Sequence, residues 1–107
     1  MIDVFRYQTE EGKEPFTEWL NSLRDKRAQA KLRVRLKRLE VGLFGDCSPV
    51  GEGVLELREH SGSGHRVYFG CLGDNVVVLL LGGDKESQAR DIERSKRYWH
   101  NWKRRQA

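Results

Sequence analysis

The sequence predicts an α+β protein: a small, mostly antiparallel sheet with two paired helices on one face and a C-terminal helix. Two observations predict the sheet, namely alternating apolar and polar residues in 54–60 and 65–71, and a nearly continuous apolar run from residue 76. Helical spacing of apolar residues across 15–41 predicts the paired helices. The predicted order is β-α-α-β-β-β-α, in one domain spanning residues 1–107.

The first three elements follow from short patterns. Residues 2–7 alternate and predict a strand that pairs with the later ones. The first helix spans 15–23, with Pro15 at its first position and an apolar stripe of Phe16, Trp19, Leu20 and Leu23. The second helix spans 26–41, with Asp25 as N-cap, Gly42 as the glycine after its end, and an apolar stripe of Ala28, Leu32, Leu36 and Leu39.

The meander at 54–85 contains the most informative alternation. A hairpin places its apolar residues on one side of the sheet, because a register slip of one residue would turn every side chain over. We therefore expect a shared apolar face of Leu55, Leu57, Val67 and Phe69 that packs on the helix pair. The other face then carries Arg58, Arg66 and Tyr68, and two cations beside a phenol suit a phosphate-bearing ligand.

The remaining segments give weaker signals. Residues 43–53 contain several turn formers and predict a crossing loop. Asp84 or Ser87 caps the last helix, which lies at an edge of the sheet or on its free face, and residues 103–107 are predicted to fray. Four residues in that helix recur at steps of three and four, which favours core packing over a base-stacking platform. They are Ile92, Ser95, Trp99 and Trp102.

Composition favours a cytoplasmic protein that works without a cofactor. The net charge is +4, and cations cluster in 24–38 and 89–105. Such clusters indicate either a solvated helix face or a surface for nucleic acid or an acidic partner. Cys47 and Cys71 are expected to be reduced thiols, and neither the cysteines nor the histidines have metal-ligand spacing. No segment is typical of a membrane span or a signal peptide.

Four segments together resemble the RelE/ParE toxin superfamily, and within it the phage-related addiction module killer proteins close to HigB-type toxins. They read PFTEWLNSL, RLEVGLFGDCSPVGEGVLELR, GHRVYFG and VVVLLLGGDKESQARDIERSKRYW. The resemblance covers nearly the whole chain. It implies a RelE-like fold and the toxin of a type II toxin–antitoxin system.

The resemblance also implies an activity and partners. Many members cleave mRNA on the ribosome without a metal, by attack of the ribose 2′-OH on the adjacent phosphate, and so inhibit translation. The implied partners are mRNA, the ribosome and a cognate antitoxin, here expected to be a helix-turn-helix protein encoded adjacently. Operator DNA would be bound only through the antitoxin complex.

Site residues are carried over by motif. The resemblance assigns Arg66 to a phosphate clamp, Lys85 to a second cation, and Tyr68 to orienting or stacking on a base. An ion pair of Arg66 with Glu56 across the hairpin is the structural alternative. RNA binding is expected at Arg58 and at the basic second helix, which is also a candidate for antitoxin contact. Its assigned residues are Lys31, Arg35 and Arg38.

The sequence departs from RelE proper at the catalytic positions. RelE carries two lysines on the strand before the turn, where this chain has Val54 and Glu56, and a tyrosine early in the last helix, near Asp91 here. A substitute base needs only a suitable pKa and reach. The candidates are Glu52, Glu56, His60 and His65. Two other functions stay open: a ParE-like toxin acting on DNA gyrase, and a non-toxic nucleic-acid-binding or operon-regulating protein.

Overall fold

The computed structural model describes residues 1–60 and 64–107, and within them the chain forms five strands and three helices. The strands are β1 (Asp3–Arg6), β2 (Cys47–Gly51), β3 (Val54–Glu59), β4 (His65–Leu72) and β5 (Val76–Gly83). The helices are α1 (Pro15–Ser22), α2 (Lys26–Leu39) and α3 (Gln88–Gln106). The predicted turn after β3 includes residues 61–63, which lie outside the described residues. In the described part, no helix is long and apolar enough to cross a bilayer.

All five strands belong to one mixed sheet in the order β1-β5-β4-β3-β2. β1 runs parallel to β5, and the other neighbours pair antiparallel. The predicted α+β class is confirmed, as are the strand at the N-terminus and the meander. A helix pair between β1 and the meander lets β1 lie parallel to β5, because a parallel pair needs such a long connection.

The prediction of a plain crossing loop at 43–53 is wrong, because this segment contains β2. β2 pairs antiparallel with β3, with Cys47 opposite Leu57 and a register shift between Pro49 and Gly51. Proline is tolerated on an edge strand, where its missing N–H is not needed for a ladder. Turn-forming residues therefore concealed a short strand at the edge of the sheet.

One face of the sheet packs against α1 and α2, as the apolar stripes predict. Leu57, Val67 and Phe69 form a buried cluster with residues of both helices. The members of this cluster on α1 and α2 are Phe16, Leu20, Leu32, Leu36 and Leu39. α2 begins where predicted, since the Asp25 carboxylate accepts hydrogen bonds from the backbone N–H of Arg27 and Ala28.

The opposite face is covered by α3, which continues to Gln106 rather than fraying from residue 103. Trp99 is 3% exposed and stacks on Trp102 with 5.4 Å between ring centroids. Gly70 on β4 permits this approach, because a Cβ there would lie 2.5 Å from the Trp99 ring. The aromatic stripe is therefore core packing, as its spacing favoured.

Candidate functional site: a cationic cleft beside a buried carboxylate

The register of β3 and β4 places the predicted polar residues on one face. Arg58 lies opposite Arg66, and Glu56 lies opposite Tyr68. β4 in turn pairs with β5, with Arg66 opposite Gly83, which brings the segment after β5 beside the two arginines. The shared face that the alternation predicts is confirmed.

These cations line a cleft of about 140 Å³ at the end of β3 and β4. Arg58, Arg66 and Lys85, three of the residues predicted for the site, meet there. The other lining residues are Glu59, His60, Gly64 and His65. Lys85 is exposed, whereas the Arg66 side chain is 16% exposed. The fold thus gathers three positive charges and two imidazoles from separate strands and turns.

Glu56 lies behind the cleft and holds both arginines. Its side chain is 2% exposed, with Oε1 at 3.3 Å from Arg58 Nη1 and Oε2 at 3.5 Å from Arg66 Nε. Tyr68 donates its hydroxyl to Oε2 at 3.1 Å, and Gln88 donates its amide N–H to the same oxygen at 2.8 Å. The Arg66–Glu56 ion pair that the sequence left as an alternative is present. A carboxylate so enclosed is a positioning group rather than a base that reaches a substrate.

Tyr68 does not have the accessibility that stacking on a base requires. The residue is fully buried between the sheet and α3, in the cluster that contains Trp99. Burial raises the pKa of the Tyr68 hydroxyl well above its ordinary value, and the Glu56 carboxylate acts in the same direction. The phenol therefore remains protonated and serves as a hydrogen-bond donor to Glu56.

A second carboxylate, Asp46, links Arg58 to a histidine. Arg58 donates from Nη2 and Nε to Asp46 at 2.9 and 3.3 Å, and His60 Nε2 lies 2.6 Å from Asp46 Oδ2. The hydrogen bond from Arg58 holds the pKa of the Asp46 carboxyl well below its usual range, and the contact with His60 acts in the same direction. The His60 side chain is 75% exposed, so its other nitrogen is accessible from solvent.

Asp46 is a residue that the sequence reasoning missed. It precedes β2, and the backbone N–H of Arg58 donates to the Asp46 carbonyl at 3.0 Å. The pairing of β2 with β3 therefore brings Asp46 to the cleft. The apolar residues Cys47 and Val50 are the one sequence signal for a short edge strand in this segment. Pro49 and the flanking glycines obscure that signal.

The other candidate bases occupy different surroundings. His65 is 8% exposed and meets the Trp19 ring edge-on at 5.9 Å, and its Nδ1 has no hydrogen-bond partner among the described residues. Glu52 lies beyond the opposite end of β3, where its carboxylate is 3.6 Å from Lys96 Nζ. Of the four candidates, His60 alone combines a place in the cleft, an accessible ring and an ionised partner.

The basic helix α2 supports the cleft through Arg35, which hydrogen-bonds the backbone beside it. Arg35 points inward, donating to the carbonyls of Arg58 at 2.7 Å and Phe44 at 3.3 Å, with its side chain 13% exposed. It therefore braces the segment before β2 against β3 and is not open to RNA. Lys31 and Arg38 are exposed on α2 and remain predicted RNA contacts.

The fold and the cleft define a small α+β protein with a cation-rich site at the end of a sheet. Residues 18–98 match the family of phage-derived Gp49-like proteins (DUF891), and the chain belongs to this family. It is a family of RelE-like, addiction-module-like toxins. An uncharacterised protein of Haemophilus influenzae is 46% identical over 81 residues, which cover 76% of this chain and 82% of that protein.

Proposed function

We propose that this protein is the toxin of a type II toxin–antitoxin system and that it cleaves mRNA in the cytoplasm, on the ribosome and without a metal. Membership in a toxin-related family supports the first part. The second part is supported by one observation above all: three cations and an Asp46-bound imidazole line the same cleft. A phosphodiester cleavage needs these two kinds of group side by side.

Arg66 is the main phosphate ligand in this proposal. Its Nε faces Glu56, and its two Nη groups, which have no hydrogen-bond partner among the described residues, are suited to bind the oxygens of a phosphate. Glu56 fixes the orientation of this guanidinium before RNA binds. Lys85 adds a flexible exposed charge on the same phosphate, and Arg58 contributes from the opposite side of the hairpin.

His60 is the general base. With Nε2 hydrogen-bonded to the ionised Asp46, the accessible Nδ1 carries the lone pair and accepts the proton of the ribose 2′-OH. The 2′ oxygen attacks phosphorus, the bond from phosphorus to the 5′ oxygen breaks, and a 2′,3′-cyclic phosphate remains. The leaving 5′ oxygen takes a proton from the Lys85 ammonium or from water. The three cations stabilise the extra negative charge on the phosphorane.

The first experiment is induced expression in cells, with mapping of new mRNA 5′ ends. Wild-type protein should arrest growth and produce new ends, and Arg66→Ala should lower cleavage about 100-fold, as loss of one charge-stabilising donor does. Arg97→Ala is the matched control, because Arg97 is exposed on α3 outside the cleft. Lys85→Ala is a second variant that removes an exposed side chain and so leaves the fold unaffected.

Three outcomes contradict the proposal. An Arg66→Ala protein that stays as toxic as wild type overturns the site. Growth arrest with intact mRNA and induced DNA damage indicates a gyrase poison, and a harmless wild type indicates a non-toxic nucleic-acid-binding protein. Cleavage of RNA in vitro that persists in EDTA supports the absence of a metal.

A matched pair of histidine variants tests the role of His60 as general base. His60 and His100 each have a side chain that is 75% exposed, and each lies near a carboxylate. His60→Gln should lower the cleavage rate by about 100-fold or more, as expected for a general base. His100→Gln on α3 should leave the rate unchanged. Equal rates for the two variants would remove His60 from the mechanism.

A further inference from the structure

The outer edge of β1 carries main-chain groups that the sheet does not use. The backbone N–H of Asp3 donates to the Asn75 carbonyl and that of Tyr7 to the Leu79 carbonyl, so the odd-numbered residues of β1 face β5. Because main-chain groups alternate along a strand, the N–H and C=O of Val4 and Arg6 point away from the sheet. The preceding outward N–H, that of Ile2, donates to the Glu40 carbonyl at the end of α2.

The two edges of the sheet differ in protection. β2, at one edge, contains Pro49 and a register shift between Pro49 and Gly51, and both features discourage a further strand. β1, at the other edge, has neither a proline nor a register shift. Such an edge is a template for pairing with another polypeptide.

A groove borders β1 on its α2 side. It measures about 380 Å³ and has an apolar floor that includes Val4 and Val34, the latter 49% exposed. Arg6, Arg33 and Lys37 line it as cations, with Glu40 as its acidic residue. Lys37 Nζ lies 3.9 Å from Glu40, whereas Arg33 has no acidic partner among the described residues. The groove therefore combines an apolar surface with net positive charge.

A second groove borders the other face of the same strand. It measures about 390 Å³ and is lined by Phe5, which is 50% exposed, and by the end of α3. Its α3 residues are Trp102, Arg105 and Gln106. A strand added beside β1 would lie about 4.8 Å away and point alternate side chains into the two grooves. Helices already flank both faces of that position.

We infer that the β1 edge binds an extended, acidic segment of a partner protein as a sixth strand of the sheet. Main-chain pairing at Val4 and Arg6 requires a polypeptide and disfavours RNA. Apolar side chains of the segment would fill the groove floors, and its carboxylates would face Arg33, Lys37 and Arg105. The identification of this partner as an antitoxin rests on the proposed function, but the strand addition itself does not.

The β1 edge lies two strands away from the cleft, since β5 and then β4 follow β1 in the sheet. A segment bound at β1 would therefore leave Arg66 and His60 uncovered. The surface serves to hold a partner on the protein, while closure of the cleft would need a separate part of that partner.

The test uses two eight-residue peptides and the whole protein. The probe is an acetylated, amidated Val-Glu repeat, and the control peptide is the corresponding Val-Lys repeat. Titration to millimolar concentration, followed by NMR, should shift the β1 and α2 signals with the acidic peptide only. Amide hydrogen exchange at Val4 and Arg6 should slow at least about tenfold on saturation, because these N–H groups become hydrogen-bonded. Unchanged exchange at both amides overturns the inference.

A pair of charge-reversed variants tests the grooves. The double variant Arg33→Glu with Lys37→Glu should weaken binding of the acidic peptide at least about tenfold, since two attractive charges become repulsive. Arg24→Glu with Arg27→Glu is the matched control, with the same net change at exposed positions beside the start of α2. Equal loss in both variants would show a general charge effect and overturn the inference.

Two further measurements separate this inference from the proposed function. The His60→Gln variant should bind the acidic peptide as tightly as wild type does, so loss of cleavage in the His60 experiment and loss of peptide binding here are independent results. A doubled molecular mass together with slow exchange at Val4 and Arg6 in the free protein would mean that the edge pairs with a second copy, which also overturns the inference.

Discussion

Replacement of the buried Glu56 by glutamine tests the organisation of the site through stability. The substitution keeps the size of the side chain and removes its charge, which leaves Arg58 and Arg66 facing each other across the hairpin without their shared counter-ion. Removal of one partner from a buried ion pair costs about 3–5 kcal/mol. Tyr68 and Gln88 also donate to the carboxylate that is lost.

The lower end of that range applies here for two structural reasons. Arg58 keeps a second carboxylate, Asp46, at 2.9 Å, and its side chain is 32% exposed, so water screens part of the repulsion. Arg66 is more enclosed and has no such second partner among the described acidic residues. We expect a loss of about 3 kcal/mol in the free energy of unfolding, and a fall in Tm of about 15 °C for a chain of this size.

Urea unfolding followed by tryptophan fluorescence measures this loss. Glu11→Gln is the control, because Glu11 is an exposed glutamate before α1 and the chemical change is identical. It should stay within about 0.5 kcal/mol of wild type, as surface substitutions do. A Glu56→Gln protein within about 1 kcal/mol of wild type would refute the view that this carboxylate holds the arginine pair.

Two further predictions concern pH and packing. Arg58 and His60 lower the pKa of Asp46, so its ionisation contributes stability above the unfolded pKa of about 3.9 that is lost as pH falls below it. Urea midpoints between pH 7 and pH 2 should therefore fall more steeply for wild type than for Asp46→Asn, and parallel curves would contradict this. Gly70→Ala should destabilise by about 1–3 kcal/mol, because the new Cβ would overlap the Trp99 ring. Unchanged thermal unfolding of the Gly70 variant would show that α3 shifts freely.

Local patterns were enough to predict most of the framework. The N-cap Asp25, the start of α1 at Pro15 and the apolar faces of both helices depend on neighbours three or four residues apart, and the structure has them as predicted. The shared face of Arg58 and Arg66 follows from strand alternation alone. Each of these features is decided by residues close in sequence or directly paired.

The predictions that failed depend on tertiary packing, which the alternation of apolar and polar residues along a strand does not reveal. Tyr68 is on the predicted face, but α3 covers that part of the face and buries it. Arg35 is one of several cations on α2, and only the tertiary position of Phe44 and Arg58 turns it inward. Asp46 reaches the cleft through a strand that its own sequence conceals. In all three cases the deciding contact is between segments whose relative position the sequence does not encode locally.

The acidic residue at a position where RelE has a lysine is explained by the charge of the whole cleft. Glu56 cannot bind phosphate, yet it makes a close pair of arginines possible, because Arg58 and Arg66 would otherwise repel each other across the hairpin. The cations Arg58, Arg66, Lys85 and Arg35 together with the carboxylates Glu56, Asp46 and Glu59 give four positive and three negative charges, a balance of +1. This balance suits a single phosphodiester and the further charge of its transition state better than a polyphosphate. The cleft therefore has the charge that the proposed cleavage of an RNA backbone requires, and the buried carboxylate of Glu56 holds its two arginines in place.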